Sequence, residues 1–64
     1  MRFVVKETLN SDKREYELFA RSNKAAKQLA TRNRWSSSSI LELSELSGRA
    51  LAVKKGPLMW EDKE

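Results

Sequence analysis

The chain has 64 residues, of which 39% are hydrophobic and 34% charged, with 13 Lys and Arg against 9 Asp and Glu, a formal charge of +4 and a pI near 9.8. That length suits a single domain, expected over 1–64, which buries only about 60% of the surface exposed by its unfolded chain. Cysteine and histidine are both missing, which removes disulfides, thiolate metal ligands and the commonest general base, and with them most enzyme classes.

No apolar run approaches the roughly 18 residues that a bilayer helix needs. The N-terminus turns polar at once in Arg2-Phe3-Val4-Val5-Lys6, so it does not read as a secretory signal, and a cytoplasmic location is expected. The positive balance favours an anionic partner, although charge alone is weak grounds for one.

In chain order, residues 2–9 (RFVVKETL) are rich in β-branched side chains and read as a strand, with Phe3, Val5 and Leu9 on one parity and Val4, Lys6 and Thr8 on the other. Asn10-Ser11-Asp12-Lys13 reads as a turn. Residues 14–20 form a second strand, on which Tyr16, Leu18 and Ala20 share one face and Glu15, Glu17 and Phe19 the other. Ser22 or Asn23 caps a helix of about three turns that runs to near Asn33. On it Ala26, Leu29, Ala30 and Asn33 fall in one arc, while Lys24, Lys27, Gln28 and Thr31 fall opposite, flanked by Arg32.

Trp35 is expected to cover the end of that helix, and Ser36 to Ser39 to make a tight connection. Ile40 to Val53 then reads as a hairpin around Leu46-Ser47-Gly48. A two-residue turn would set Leu43 opposite Ala52 and Leu51 opposite Ser44, splitting the apolar residues between faces. A three-residue loop with Gly48 left-handed pairs Leu43 with Leu51, Leu41 with Val53 and Glu45 with Arg49, and that register is expected. Gly56-Pro57 marks a further turn, Leu58-Met59-Trp60 a short last strand with Trp60 in the core, and a charged tail closes the chain. The expectation is an α+β fold of two layers, order β-β-α-β-β with a short fifth strand: an antiparallel sheet of four to five strands and one helix packed on one face.

Functionally, the outstanding stretch is Arg21 to Arg34 (RSNKAAKQLATRNR), which carries Arg21, Lys24, Lys27, Arg32 and Arg34, while no Asp or Glu occurs between Leu18 and Leu41. A helix that is merely solvated usually mixes Glu with Lys at i,i+4. The candidate partner-binding cations are therefore Arg21, Lys24, Lys27, Arg32 and Arg34, with Thr31 on the same polar arc. Phosphates would satisfy these cations with a strong salt dependence. Glu15, Glu17 and Glu42 are better explained as solvated strand charges than as an acid/base pair, and Ser36 to Ser39 have no base to activate a nucleophile. No catalytic residue, metal or cofactor is expected.

Taken together, Val5-Lys6-Glu7, Ala20-Arg21-Ser22, Ala26-Lys27, Ala30, Gly48, Leu51-Ala52-Val53-Lys54 and Trp60 occur in an order and spacing that resembles a small type I-F anti-CRISPR family of phage and mobile-element proteins. The resemblance implies a five-stranded antiparallel sheet with one helix. It implies a protein that binds the backbone subunits of the type I-F CRISPR (Csy) surveillance complex, occupies the surface where target DNA would run, and blocks pairing between guide RNA and DNA. Carried over by position, the contacts are Lys27, Gln28, Arg32 and Arg34, with Gln28 in place of a basic residue and Arg34 in place of a neutral amide. The family is also associated with non-specific binding of double-stranded DNA by the inhibited complex. No membrane or small-molecule substrate is implied. A stand-alone nucleic-acid binder and a phage inhibitor of another host machine, such as RNA polymerase, stay open beside this reading.

Overall fold

The computed structural model describes residues 1–63 and contains five strands and one helix: β1 (Arg2–Leu9), β2 (Asp12–Phe19), α1 (Asn23–Asn33), β3 (Ile40–Glu45), β4 (Ala50–Lys55) and β5 (Glu61–Asp62). The strands form one antiparallel sheet in the order β2-β1-β3-β4-β5. No helix is long and apolar enough to cross a membrane.

The side-chain alternation decides which face is buried. Phe3 and Val5 pair with Leu18 and Tyr16 on β2, and Val5 also faces Leu43 on β3. Phe3, Val5, Leu18, Leu41, Leu43 and Leu51 share one buried cluster with Ala26 and Ala30 of α1, and Tyr16, Ala20, Leu29 and Trp60 pack against it. Alanines at the contact let the helix backbone approach the sheet closely. Asn33, expected on the same arc, is exposed.

The first hairpin turns through two residues, Asn10 and Ser11, so β2 begins at Asp12 rather than after Lys13. Asn10 accepts the positive φ of 56° that so tight a turn demands, and Asn tolerates it better than most residues. In the second hairpin the expected register holds only at the loop. Gly48 is left-handed at φ 97°, its N–H donates to the Glu45 carbonyl at 2.9 Å, and the Glu45 N–H donates to the Arg49 carbonyl at 2.9 Å. Beyond that, Leu43 pairs with Ala52 and Leu41 with Lys54, not with Leu51 and Val53, because a bulge inserts Leu51 between Ala50 and Ala52. The extra residue keeps the three-residue loop and still buries Leu51 beside Ala52, an outcome that strict alternation does not allow.

The last strand also lies elsewhere. Leu58 and Met59 are exposed and outside the sheet, and β5 is Glu61–Asp62, paired with Val53 and Ala52. Pro57 and the turn at Gly56 delay the return of the chain to the sheet edge by three residues.

One row of the core face carries charged groups on both sides of Leu41: Arg14, Glu7, Leu41 and Lys54 lie side by side across four strands. Glu7 is fully buried. Its Oε1 accepts from Arg14 Nε at 2.8 Å and Nη2 at 2.6 Å, and its Oε2 accepts from the Trp35 backbone N–H at 2.6 Å. Burial pushes the Glu7 pKa up, but the Trp35 amide, the Ser39 hydroxyl and the Arg14 guanidinium outweigh that and hold it below the usual carboxylate value. Ser39 Oγ is buried and makes no hydrogen bond of good geometry among the described residues, so the Arg14 and Trp35 contacts are the ones the structure shows on Glu7. Arg14 in turn donates to the Asn33 carbonyl at 2.5 Å and lies 4.9 and 4.6 Å from the centres of the Tyr16 and Trp35 rings.

A carboxylate whose folded pKa is depressed adds stability above its unfolded value and loses it as the pH falls through the folded one. Glu7→Gln is expected to lower stability by about 2–3 kcal/mol, or roughly 8–24 °C in Tm for a domain this small. Below about pH 4.5 the unaltered protein should lose stability more steeply than this variant. Thermal melts by circular dichroism across pH 3–7 measure both effects, and equal pH slopes would show that Glu7 is not the group responsible.

Candidate interaction face of the helix

The helix starts where Ser22, in extended conformation, accepts from the Ala25 N–H at 3.2 Å through its hydroxyl, so Ser22 rather than Asn23 is the cap. It stops where Arg34 turns extended and the Arg14 guanidinium takes up the Asn33 carbonyl. A cation at this end also suits the helix dipole. No acid sits in the first turn, so the basic Lys24 there goes uncompensated within the helix.

The seven sequence-derived candidates do not form one uniform group. Arg21, Lys24, Gln28 and Arg32 are exposed. At about 100° per residue, Gln28 points most directly away from buried Ala26 and Ala30, with Lys24 and Arg32 on either side of it. Lys27, Thr31 and Arg34 are half-buried and engaged. The Lys27 ammonium contacts Asp62 Oδ1 at 2.6 Å, with its side chain only 22% exposed. The Thr31 hydroxyl donates to the Lys27 carbonyl at 2.8 Å and accepts from Trp60 Nε1 at 3.1 Å. Arg34 Nη1 donates to the Gly56 carbonyl at 3.4 Å.

The acid-free character of the stretch is thus a property of the sequence and not of the surface. Strand β5 brings Asp62 to the flank of the helix and lowers the local charge by one. An open depression of about 380 Å3 lined by Asn23, Lys24, Lys27, Leu51 and Asp62 marks this seam.

The tryptophans divide differently from expectation. Trp60 is half-buried and caps the Thr31 side of the helix, as a core-flanking residue. Trp35 is 45% exposed, because its backbone amide and not its ring is drawn inward, by Glu7. One ring face is occupied by Arg14.

On the exposed side of β1 and β2, Glu15 and Glu17 lie beside Lys6 and Arg2 at 3.8 and 3.4 Å, and Arg2 stands 5.0 Å over the Phe19 ring. These are exposed pairs of small energetic weight. Among the described residues no group of three or more acidic side chains comes together to hold a metal ion. Leu58 and Met59, expected on a strand, instead present exposed apolar surface in the loop before β5. The adjacent Gly56-Pro57 was the signal that a turn could extend that far.

No protein-family model matches this sequence, and no curated protein matches it.

Asp62→Asn removes the charge that covers Lys27. Because the acid is exposed, stability is expected to change by less than about 1 kcal/mol. Binding of random duplex DNA at low salt, measured by fluorescence anisotropy, should tighten, since one more cation is released to phosphates. Unchanged DNA affinity would mean that Lys27 does not belong to an exposed cationic face.

Proposed function

We propose that this protein is an inhibitor of an RNA-guided DNA-recognition complex, acting in the cytoplasm of a bacterial host. It docks through the outward side of α1 on the backbone subunits of the type I-F CRISPR surveillance complex and blocks hybridisation of target DNA by occupying its path. The fold assumed is a single domain of two layers, with the helix lying on one face of the sheet, and the role is one of binding and not of catalysis.

The observation that carries this reading is the position of the residues that the anti-CRISPR resemblance marks as contacts. Gln28 and Arg32 lie opposite Ala26 and Ala30, Lys27 lies at the flank of the helix about 100° from Gln28, and Arg34 follows at the helix end. Lys27 must exchange Asp62 for the partner, whereas Arg34 is held by the Gly56 carbonyl, which restrains its direction before any partner arrives. Such preorganisation lowers the entropic cost of association.

A second reading is favoured by the exposure of Arg21, Lys24 and Arg32: direct, sequence-independent binding of double-stranded DNA. The two differ in their targets. In surface plasmon resonance, the protein is expected to bind purified type I-F surveillance complex with sub-micromolar affinity, and absence of binding at micromolar concentration overturns the inhibitor reading. Replacing Lys27, Arg32 and Arg34 together by Glu should weaken binding at least about a hundredfold, given that a reversed charge at an interface typically costs several kcal/mol. The circular dichroism spectrum should stay helical. A gel shift with random duplex at low salt, lost at physiological salt, would support the DNA-binding reading instead.

A further inference from the structure

The two edges of the sheet differ. On one side β5 is two residues long and both are acidic, a short charged edge of the kind that discourages pairing. On the other side β2 runs for eight residues without Pro, Gly or a bulge, and among the described residues no strand pairs with its outer side. The Ala20 N–H donates to the Met1 carbonyl at 3.0 Å, in step with the register that sets Phe19 against Arg2 and Asp12 against Leu9. Antiparallel ladders bond at alternate residues, so Asp12, Arg14, Tyr16 and Leu18 turn their backbone groups to β1, and Lys13, Glu15, Glu17 and Phe19 turn theirs to the open edge. All four of the latter are exposed.

Charged side chains usually protect such an edge, but whether they do depends on which signs meet. Only odd-numbered residues of β2 present free backbone groups, so an antiparallel second copy must set odd against odd. A twofold axis through Glu15 opposes Lys13 to the partner's Glu17, twice, and Arg14 to the partner's Tyr16 on the other face. An axis through Tyr16 would instead oppose Glu15 to the partner's Glu17, twice, and an axis through Arg14 would oppose that cation to its own copy. In its own chain Lys13 lies across from Thr8 and makes no ion pair among the described residues, while Glu17 has only the exposed Arg2 at 3.4 Å. Glu15 meets its own copy on the favoured axis, but each carboxylate has Lys6 beside it at 3.8 Å.

We propose that β2 pairs antiparallel with β2 of a second copy about a twofold axis at Glu15, with Lys13 of each chain opposite Glu17 of the other. The pairing joins two five-stranded sheets into one through about six backbone hydrogen bonds, two at each of the 13–17, 15–15 and 17–13 positions. Odd-on-odd register keeps the two core faces, where Ala26 and Ala30 of α1 pack, on the same side. Both helices therefore stand on one side of the dimer, each with Arg21, Lys24 and Arg32 exposed. An interface of one strand from each copy is small, so the dimer is weak and depends on concentration. It stands independently of what α1 binds.

Sedimentation velocity of the full chain over roughly 10 μM to 1 mM, the span suited to so small an interface, is expected to show a monomer passing into a dimer. Lys13→Glu and Glu17→Lys should each weaken dimerisation at least about tenfold, and the double swap should return it to within about threefold of the unaltered chain. Glu15→Pro removes an N–H that the monomer's own ladder does not use, and should abolish the dimer while the circular dichroism spectrum is kept. If that variant fails to fold, the charge series decides alone. A chain that stays monomeric throughout the range overturns the proposal and leaves the edge to a strand of some other protein. A dimer that survives Lys13→Glu, or a double swap that dimerises no better than the single variants, also overturns it.

Discussion

Taking the Glu7 carboxylate out of water costs several kcal/mol unless hydrogen bonds replace its hydration, and here the replacements come from separate parts of the chain. Arg14 on β2 supplies two contacts and the Trp35 amide a third, beyond the end of the helix. Because Arg14 also takes the terminal helix carbonyl, the one ion pair fixes the β1–β2 hairpin, the helix exit and the path into the serine loop. The basic face of α1 and the placement of Arg34 both depend on that exit. An apolar residue at position 7 would fill the space but take away the acceptor of Arg14 Nε and of the Trp35 amide.

Much of the architecture follows from local pattern. The alternation in residues 2–9 and 14–20, the small residues at 26 and 30, and Ser22 at the head of the helix each express a preference of the backbone within a few residues of itself. The four main strands and the helix are legible for that reason. Glu7 shares the parity of Phe3 and Val5, but alternation says only which way it points. That it is tolerated there depends on Arg14 and on an amide 28 residues away.

The candidate face was misjudged for a related physical reason. A stretch without acids suggests a cationic surface, but charge acts through space, and Asp62 reaches Lys27 across 35 positions of sequence. Thr31 similarly looks free on a helical wheel, while both its hydrogen-bonding roles are filled by Lys27 and Trp60. The bulge at Leu51 is the counterpart in the sheet. The chain keeps the loop of one register, with Glu45 opposite Arg49, and the ladder of the other, with Leu43 opposite Ala52, by inserting Leu51, a combination that simple pairing arithmetic excludes.

The strand order has a bearing on how the molecule assembles. β1 with β2 and β3 with β4 are hairpins closed by short loops, and they can form without distant parts of the chain. The β1–β3 ladder must bring residue 8 to residue 40, and the entropy of closing that long loop makes it the slow event in folding. A helix nucleated early within the intervening segment shortens the span to be closed. Trp35 lies inside that same segment, so its amide reaches Glu7 only when the ladder closes. The central pairing, the burial of the carboxylate and the setting of the helix are therefore one cooperative step.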